Sequence, residues 1–141
     1  MTGEYSHVID EKGRLFVPAD FRELLGGKFK LTKGVGLGRD EYCLSAYSEE
    51  QWDILVRKIM SLPSQKSNML RYHFVAPKKD VEMDNQGRIL IPAKLREYAR
   101  LEKNLVVVGM VDHMEIWAEE EWNRMNVTVS NVAELMNEAG I

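Results

Sequence analysis

In the first part of the chain, short alternating or apolar segments predict four strands, and segments of helical periodicity predict helices between and after them. The predicted strands are Tyr5–Ile9, Leu15–Val17, Lys28–Lys33 and Tyr42–Tyr47. Pro18 ends the second strand and can begin a short helix at Ala19–Leu25, which the following glycines close. Ser48 and Gln51 have capping-box spacing, so a longer helix is expected to begin there and to end before Pro63.

The second part of the chain has the same order of predicted elements, so each half is expected to be β-β-α-β-β-α. The predicted strands are Asp80–Met83, Ile89–Ile91, Leu105–Val111 and Met114–Trp117, and the predicted helices are Ala93–Arg100 and a helix from Glu119. In each half the first two strands are predicted to form a hairpin. Residues 64–78 are predicted to be helical, and residues 126–141 are predicted to form a further helix.

The sequence itself also repeats. Residues 10–19 return as residues 84–93 with Asp, Gly, Arg, Pro and Ala in the same places, and Tyr47–Trp52 corresponds to Trp117–Trp122. The second offset is shorter, which indicates extra residues in the first half near Gly36–Tyr42. A repeat of this length predicts one supersecondary unit used twice.

We therefore expect two repeats and two helical segments. The predicted boundaries are 5–50 for the first repeat, 51–78 for a helical linker, 79–122 for the second repeat and 123–141 for a C-terminal helical segment. A repeat of roughly 50 residues is marginal for an independent core. The two repeats are thus expected to pack together as one structural unit.

Each repeat contains a D-x-x-G-R turn, which we call an arginine turn (residues 10–14 and 84–88). An aspartate at the head of a turn can accept backbone N–H groups two residues on, which predicts a turn-shaping role for Asp10 and Asp84. Gly13 and Gly87 supply a backbone conformation that a Cβ would oppose.

The arginine that ends each turn has two possible roles. Arg14 and Arg88 could pair with the aspartates of their own turns, a contact worth about 0–1 kcal/mol when exposed. Alternatively, each guanidinium could bind a phosphate or a guanine edge. In that case Lys12 and Gln86 are predicted to contact DNA beside them, with Gln86 suited to adenine and Lys12 to phosphate.

Charge is unevenly distributed along the chain, although the formal net charge is only −3. Residues 10–39 and 57–96 carry +3 and +6, whereas residues 40–56 and 97–141 carry −5 and −6. The basic charge follows the arginine turns and the linker, so one face of the protein could attract phosphate despite the acidic total.

Candidate chemistry of other kinds is weak. The three histidines lack metal-ligand spacing, and no nucleophile–base set or paired carboxylate stands out, so neither an enzyme nor a metal site is expected. Cys43, the only cysteine, is predicted to be buried and inert. The tryptophans at matching positions of the two halves are predicted to pack in the core. No cofactor or small-molecule ligand is expected.

Membrane insertion and export are also not expected. Residues 1–9 lack the basic and apolar segments of a signal peptide, and no apolar run approaches the ~18 residues of a membrane helix. The single cysteine excludes an internal disulfide, so a cytoplasmic location is predicted.

The segments Gly3–Tyr5, Asp10–Pro18 and Asp84–Pro92, together with the dipeptides Ile116-Trp117 and Glu121-Trp122, resemble the MraZ family of bacterial transcriptional regulators. The resemblance covers nearly the whole chain. It implies an α+β, mainly β fold, in which two AbrB-like (SpoVT-AbrB) swapped-hairpin halves form a double-split β-barrel with flanking helices. It also implies assembly into a ring-shaped homo-oligomer.

The function implied by the resemblance is regulation of transcription at the nucleoid. Such a protein would bind repeated short boxes in double-stranded DNA upstream of its own operon, a cluster of division and cell-wall genes. The family's D-x-x-x-R residues correspond to Asp10 and Arg14, and to Asp84 and Arg88. The alternative from a different class is a ring-forming scaffold that binds other proteins without specific DNA binding.

Overall fold

The computed structural model describes residues 1–38 and 40–141, and within them the fold is α+β, as predicted, with eight strands and six helices. The strands are β1 (Thr2–Val8), β2 (Arg14–Phe16), β3 (Lys28–Lys33), β4 (Leu44–Tyr47), β5 (Lys79–Glu82), β6 (Arg88–Leu90), β7 (Asn104–Met110) and β8 (Met114–Ala118). The helices are α1 (Ala19–Leu25), α2 (Glu49–Met60), α3 (Ser64–Leu70), α4 (Ala93–Tyr98), α5 (Glu119–Thr128) and α6 (Val132–Glu138).

Strand order shows that the two repeats are interleaved. Six strands form one antiparallel sheet in the order β1-β7-β8-β4-β3-β5, and β2 pairs with β6 in a separate two-stranded ribbon. The order is symmetric about the β8–β4 contact, because β1, β7 and β8 mirror β5, β3 and β4. Each repeat thus donates its first strand to the other repeat. Within the described residues the sheet ends at β1 and β5 and does not close into a barrel.

The predicted local hairpins are wrong. β1 pairs with β7 and β5 pairs with β3, whereas β2 and β6 pair with each other. The chain does reverse at the first arginine turn, where the Asp10 N–H donates to the Arg14 carbonyl at 3.0 Å. Pairing across the repeats places Leu15 opposite Ile89, and both are buried in the common core.

Two hydrophobic clusters cover the two faces of the six-stranded sheet. The main cluster includes Val107 together with residues of the ribbon, of α1 and of α4. The smaller one includes Val106, Val108 and Trp117 and packs against α5 through Met125. Because both faces of the middle of β7 are covered, residues 105–108 form a continuous apolar run rather than an alternating one.

Most element positions follow the sequence prediction. α1 and β3 have the predicted bounds, and Ser48 caps α2 by accepting from the Gln51 N–H at 3.2 Å. Trp52 and Trp117 are buried, as predicted. Pro18 precedes α1 as its N-cap instead of occupying its first turn.

The two stretches predicted to be helical, residues 64–78 and residues 126–141, both contain helices. Residues 64–75 form α3 followed by a π-helical turn at Arg71–Val75, and α6 lies within residues 126–141. The loop Gly36–Tyr42 that carries the extra residues includes Arg39, which lies outside the described residues. Over residues 1–38 and 40–141, none of the helices has both the length and the apolar character needed to span a membrane.

Candidate nucleic-acid interface

The ribbon displays both arginines on one outward face. In its register Arg14 lies opposite Leu90 and Phe16 lies opposite Arg88. The central pair, Leu15 and Ile89, points into the core. Side chains alternate between the two faces of a strand, so the four flanking residues share the outer face.

The two arginine turns have the same hydrogen-bonded shape. Asp10 Oδ1 accepts the backbone N–H groups of Lys12 at 3.0 Å and Arg14 at 2.8 Å. Asp84 Oδ1 accepts those of Gln86 and Arg88, both at 2.9 Å. These Asx turns fix the loop geometry from its first residue.

The same contacts set the charge state of the aspartates. Backbone N–H donation from Arg14, with further donation from its side chain and from Lys12, lowers the pKa of Asp10 below its ordinary value. The pKa of Asp84 is lowered in the same way by Arg88 and Gln86. Both carboxylates are therefore ionised at neutral pH.

The glycines adopt the backbone conformation that the sequence suggested. Gly13 has φ of +83° and Gly87 has φ of +82°, in the region that residues with a Cβ rarely occupy. Both glycines are buried against the rest of the fold, although they belong to turns.

Each arginine is partly engaged by its own turn. Arg14 Nε donates to Asp10 Oδ2 at 2.7 Å, and Arg88 Nε donates to Asp84 Oδ2 at 2.8 Å. Within the described residues, the Nη groups of both guanidiniums make no hydrogen bond, and the side chains are 34% and 22% exposed. The contact with aspartate therefore exists, and it still leaves the outer edge of each guanidinium available to a ligand.

Lys12 and Gln86 occupy corresponding positions in the two turns, and both are exposed. Their backbone N–H groups serve the Asx turns, while their side chains have no hydrogen-bond partner within residues 1–38 and 40–141. The turns thus differ in chemistry while sharing a shape, since one has an ammonium group where the other has a carboxamide.

Sequence reasoning missed two residues of this face, Phe16 and Leu90. They are 44% and 58% exposed, although both stand in apolar strand segments. The Arg88 guanidinium carbon lies 5.8 Å from the centre of the Phe16 ring. Strand alternation relative to buried Leu15 and Ile89 was the available signal, because a residue next to an inward position must face outward.

The remaining candidates lie elsewhere. His113 is held between Asp112 Oδ1 at 2.7 Å and Glu115 Oε2 at 2.8 Å, and it stacks on Tyr47. Cys43 is buried, and burial raises the pKa of its thiol, which disfavours the reactive thiolate form. Within the described part of the chain, no cluster of His, Cys, Asp and Glu could hold a metal ion.

Comparison with known proteins covers nearly all of the chain. The family model described as "MraZ protein, putative antitoxin-like" matches residues 1–71 and 74–138. A protein of Caldicellulosiruptor saccharolyticus named transcriptional regulator MraZ is 43% identical over 147 residues, covering 100% of this chain and 99% of that protein. Proteins of the same name are 43% identical in Acetivibrio thermocellus, over 99% of this chain and 98% of theirs, and 48% identical in Pelotomaculum thermopropionicum, over 85% and 81%.

Proposed function

Because this chain belongs to the MraZ family, we propose that it is a transcriptional regulator that binds double-stranded DNA through its two arginine turns. The name of its relatives supports the regulatory role. The observation that carries the proposal is the pair of arginines on one exposed ribbon, each held by Nε and each with its Nη groups unused within the described residues.

The ribbon has a shape that suits the DNA major groove, which admits a two-stranded β-ribbon. Arg14 and Arg88 are diagonal neighbours across it, a relation that places them roughly 7–8 Å apart. At that distance they could reach neighbouring base pairs, with guanine O6 and N7 as the preferred partners of a guanidinium. Phe16 and Leu90 lie between them and suit the methyl group of thymine.

The two turns are proposed to divide the contacts. Lys12 carries a charge and suits a phosphate, whereas Gln86 is neutral and can bind the edge of adenine with two hydrogen bonds. The carboxylates of Asp10 and Asp84 accept backbone N–H groups of their own turns, so these hydrogen bonds partly offset their negative charge.

The proposal extends to the finer architecture. Each repeat contributes a swapped-hairpin half to a double-split β-barrel, and the exchange of β1 and β5 between repeats supports this arrangement. The segments 5–50 and 79–122 are proposed to act as one unit with 51–78 and 123–141 as helical attachments.

Self-association completes the proposal, because two arginine turns provide few contacts for a chain of net charge −3. Helix α6 exposes an apolar stripe of Val132, Leu135 and Met136. The linker exposes Met69 and Tyr72 in a stretch, residues 54–79, with six basic and no acidic residues. The α6 region is acidic, so these two surfaces of successive copies are complementary. Such a head-to-tail contact closes into a ring when its rotation permits.

A ring would bind repeated DNA boxes through many turns at once, and linked contacts raise affinity through effective concentration. The proposed target is the promoter region of the chain's own operon of division and cell-wall genes, bound at the cytoplasmic nucleoid. The proposal requires no catalytic step, cofactor or small-molecule ligand.

A mobility-shift series with the chain's own upstream DNA tests the proposal. Because binding releases counterions from phosphate, log K should fall linearly with log salt concentration, and fragments with one to four boxes should bind progressively more tightly. Absence of a shift at low salt would reject DNA binding. A large assembly without such a shift would favour the ring-forming scaffold instead.

A further inference from the structure

Each arginine turn is packed against an arginine that belongs to the other repeat. A Cβ built on Gly13 would lie 2.8 Å from Cζ of Arg96, which is on α4. A Cβ on Gly87 would overlap the guanidinium of Arg22, which is on α1. Each guanidinium therefore lies against turn backbone, in space that a side chain on the glycine would need.

Backbone hydrogen bonds tie the same elements together. The Val17 N–H donates to the Gly87 carbonyl at 2.9 Å, and the Val17 carbonyl accepts from Arg22 Nε at 2.9 Å. The second turn is thus connected to α1 both by a backbone bond and by the guanidinium that covers it.

The first turn has the corresponding backbone bond, with the Ile91 N–H donating to the Gly13 carbonyl at 2.9 Å. It lacks the corresponding side-chain bond, because Arg96 Nε is buried and has no hydrogen-bond partner among the described residues. Arg96 is therefore held by packing, whereas Arg22 is held by packing and a hydrogen bond.

Neutralising an acidic group does not explain these arginines. Within residues 1–38 and 40–141, neither Arg22 nor Arg96 takes part in an ion pair, in contrast to Arg14 and Arg88. Each turn involves two arginines. One ends the turn, and the other, from the other repeat, packs against the glycine that directly precedes that terminal arginine.

We infer that Arg22 and Arg96 are positioning residues that act across the repeats: Arg22 sets the turn that carries Arg88, and Arg96 sets the turn that carries Arg14. This inference rests on the DNA-binding role proposed above. It means that the helix of one repeat controls the DNA contact of the other. The planar guanidinium is the essential feature, because a lysine would keep the charge without a flat surface to lie on the turn.

The first test uses the full-length protein without DNA. Backbone amide NMR signals of both turns are compared in Arg22→Lys, in Arg96→Lys and in the control Lys28→Ala, which removes an exposed positive charge on β3, outside the turns and outside residues 54–79. Arg22→Lys should move the signals of Gln86, Gly87 and Arg88 far more than those of the first turn. Arg96→Lys should show the reverse, and the control should move neither set.

The second test measures DNA affinity in double-mutant cycles. Arg22→Lys should weaken binding by at least about five-fold in the parent chain and in the Arg14→Ala background. In the Arg88→Ala background it should have an effect within about two-fold, because the contact that it positions is already gone. Arg96→Lys should weaken DNA binding in the parent chain and in the Arg88→Ala background, but not in the Arg14→Ala background. Its loss of affinity should be smaller than that of Arg22→Lys, because Arg96 Nε has no hydrogen bond to lose.

Three results would overturn the inference. Amide signal changes confined to α1 or α4, or equal in both turns, would show that neither arginine specifically positions the turn of the other repeat. Full affinity in Arg22→Lys, with a salt slope reduced by about one in Arg22→Ala, would indicate a direct phosphate contact. Lower melting temperature with unchanged affinity of the folded protein would indicate a stabilising role only; Arg22→Met replaces Arg22→Lys if the latter does not fold.

The two proposals fail in different ways. If Arg14→Ala and Arg88→Ala both bind DNA as tightly as the parent chain, the proposed DNA contact is wrong. The amide signals would still decide whether Arg22 and Arg96 hold the turns.

Discussion

The two oxygens of each turn aspartate have different tasks. Oδ1 of Asp10 accepts two backbone N–H groups and fixes the loop, while Oδ2 accepts Nε of Arg14 and fixes the side chain. Asp84 and Arg88 repeat the arrangement. An arginine held in this way would lose less conformational entropy on binding, so pairing with aspartate is compatible with the proposed DNA contact.

Replacing Arg14 or Arg88 by alanine should weaken DNA binding with little effect on folding. A bidentate contact to a base contributes about 1–3 kcal/mol, so each variant should lose about 5- to 150-fold in affinity. The melting temperature should change little, because an exposed ion pair contributes about 0–1 kcal/mol. Mobility shifts and thermal melts measure the two effects, with Lys28→Ala on β3 as the control.

A collapse of the melting temperature in Arg14→Ala or Arg88→Ala, with unchanged affinity of the remaining folded protein, would contradict this prediction. It would mean that the arginines serve only to hold their own turns.

Replacing Asp10 should affect stability according to the acceptor that remains. Asn retains Oδ1 for the backbone N–H groups, so Asp10→Asn should lower the melting temperature less than Asp10→Ala. The folded pKa of Asp10 is lowered, so its stabilising effect is present above the ordinary value of 3.8 and is lost as the pH falls through the folded value. The difference between the parent chain and Asp10→Ala should therefore shrink in acid.

Thermal melts from neutral pH down to about pH 3 provide this measurement. Equal and large losses of DNA binding in both variants, without a change in stability, would show that the Asp10 carboxylate acts on the ligand directly.

At the residue scale the sequence was informative wherever a local motif was repeated. Asp10, Gly13 and Arg14 could be found because turn chemistry depends on near neighbours. Arg22 and Arg96 could not be assigned to the turns, since their contacts join segments far apart in the chain.

Among the secondary-structure elements, the turn between β7 and β8 has its own polar network. His113 stacks on Tyr47 of β4 with ring centres 5.1 Å apart and lies between Asp112 and Glu115. Glu115 also accepts from Trp117 Nε1 at 3.0 Å. The network thus joins the two central strands of the sheet on the face away from the main core.

This network predicts a pH-dependent stability. Burial lowers the pKa of His113, but hydrogen bonds to Glu115 and Asp112 outweigh that effect and leave the pKa raised above 6.5. Protonated His113 therefore stabilises the fold fully below pH 6.5, and this contribution is lost as the pH rises through the folded value. The gap in melting temperature between the parent chain and His113→Gln should be larger at about pH 5.5 than at about pH 8.5.

Asp112→Asn removes the charge of the more exposed of the two carboxylates that contact His113. In this background, the difference in melting temperature caused by His113→Gln should change less with pH. A gap that is constant across this pH range would show that His113 acts through packing on Tyr47 alone.

Element positions could largely be predicted, whereas strand pairing could not. The bounds of α1 and β3 follow from local signals such as Pro18 before the helix and the glycines after it. A period of two in a strand indicates its buried face and says nothing about its partner. The exchange of β1 with β7 and of β5 with β3 was therefore invisible in the residue pattern.

At the scale of the whole molecule, further exposed apolar residues lie outside the ribbon, on the linker and on α6. The apolar stripe on α6 and the exposed apolar residues of the linker belong to neither hydrophobic cluster of the described residues. Their opposite charges are the basis of the proposed association between copies.

Substituting the α6 stripe should reduce the assembly. Leu135→Lys places a charge in the proposed contact, so light scattering should show a lower mass, and affinity for DNA with several boxes should fall toward that for one box. Asn137→Lys adds the same charge on the opposite face of α6 and serves as the matched control. Equal masses for both variants and the parent chain would exclude this surface as the contact.

The exchange of first strands between the repeats also has a consequence for synthesis on the ribosome. Thr2 pairs with Met110, so β1 must wait for its partner strand until on the order of 100 further residues have been made. Such distant pairing gives a high contact order and slows folding. The nascent chain would therefore expose β1 until the second repeat emerges, and chaperones that shield unpaired strands would be most useful to it in that interval.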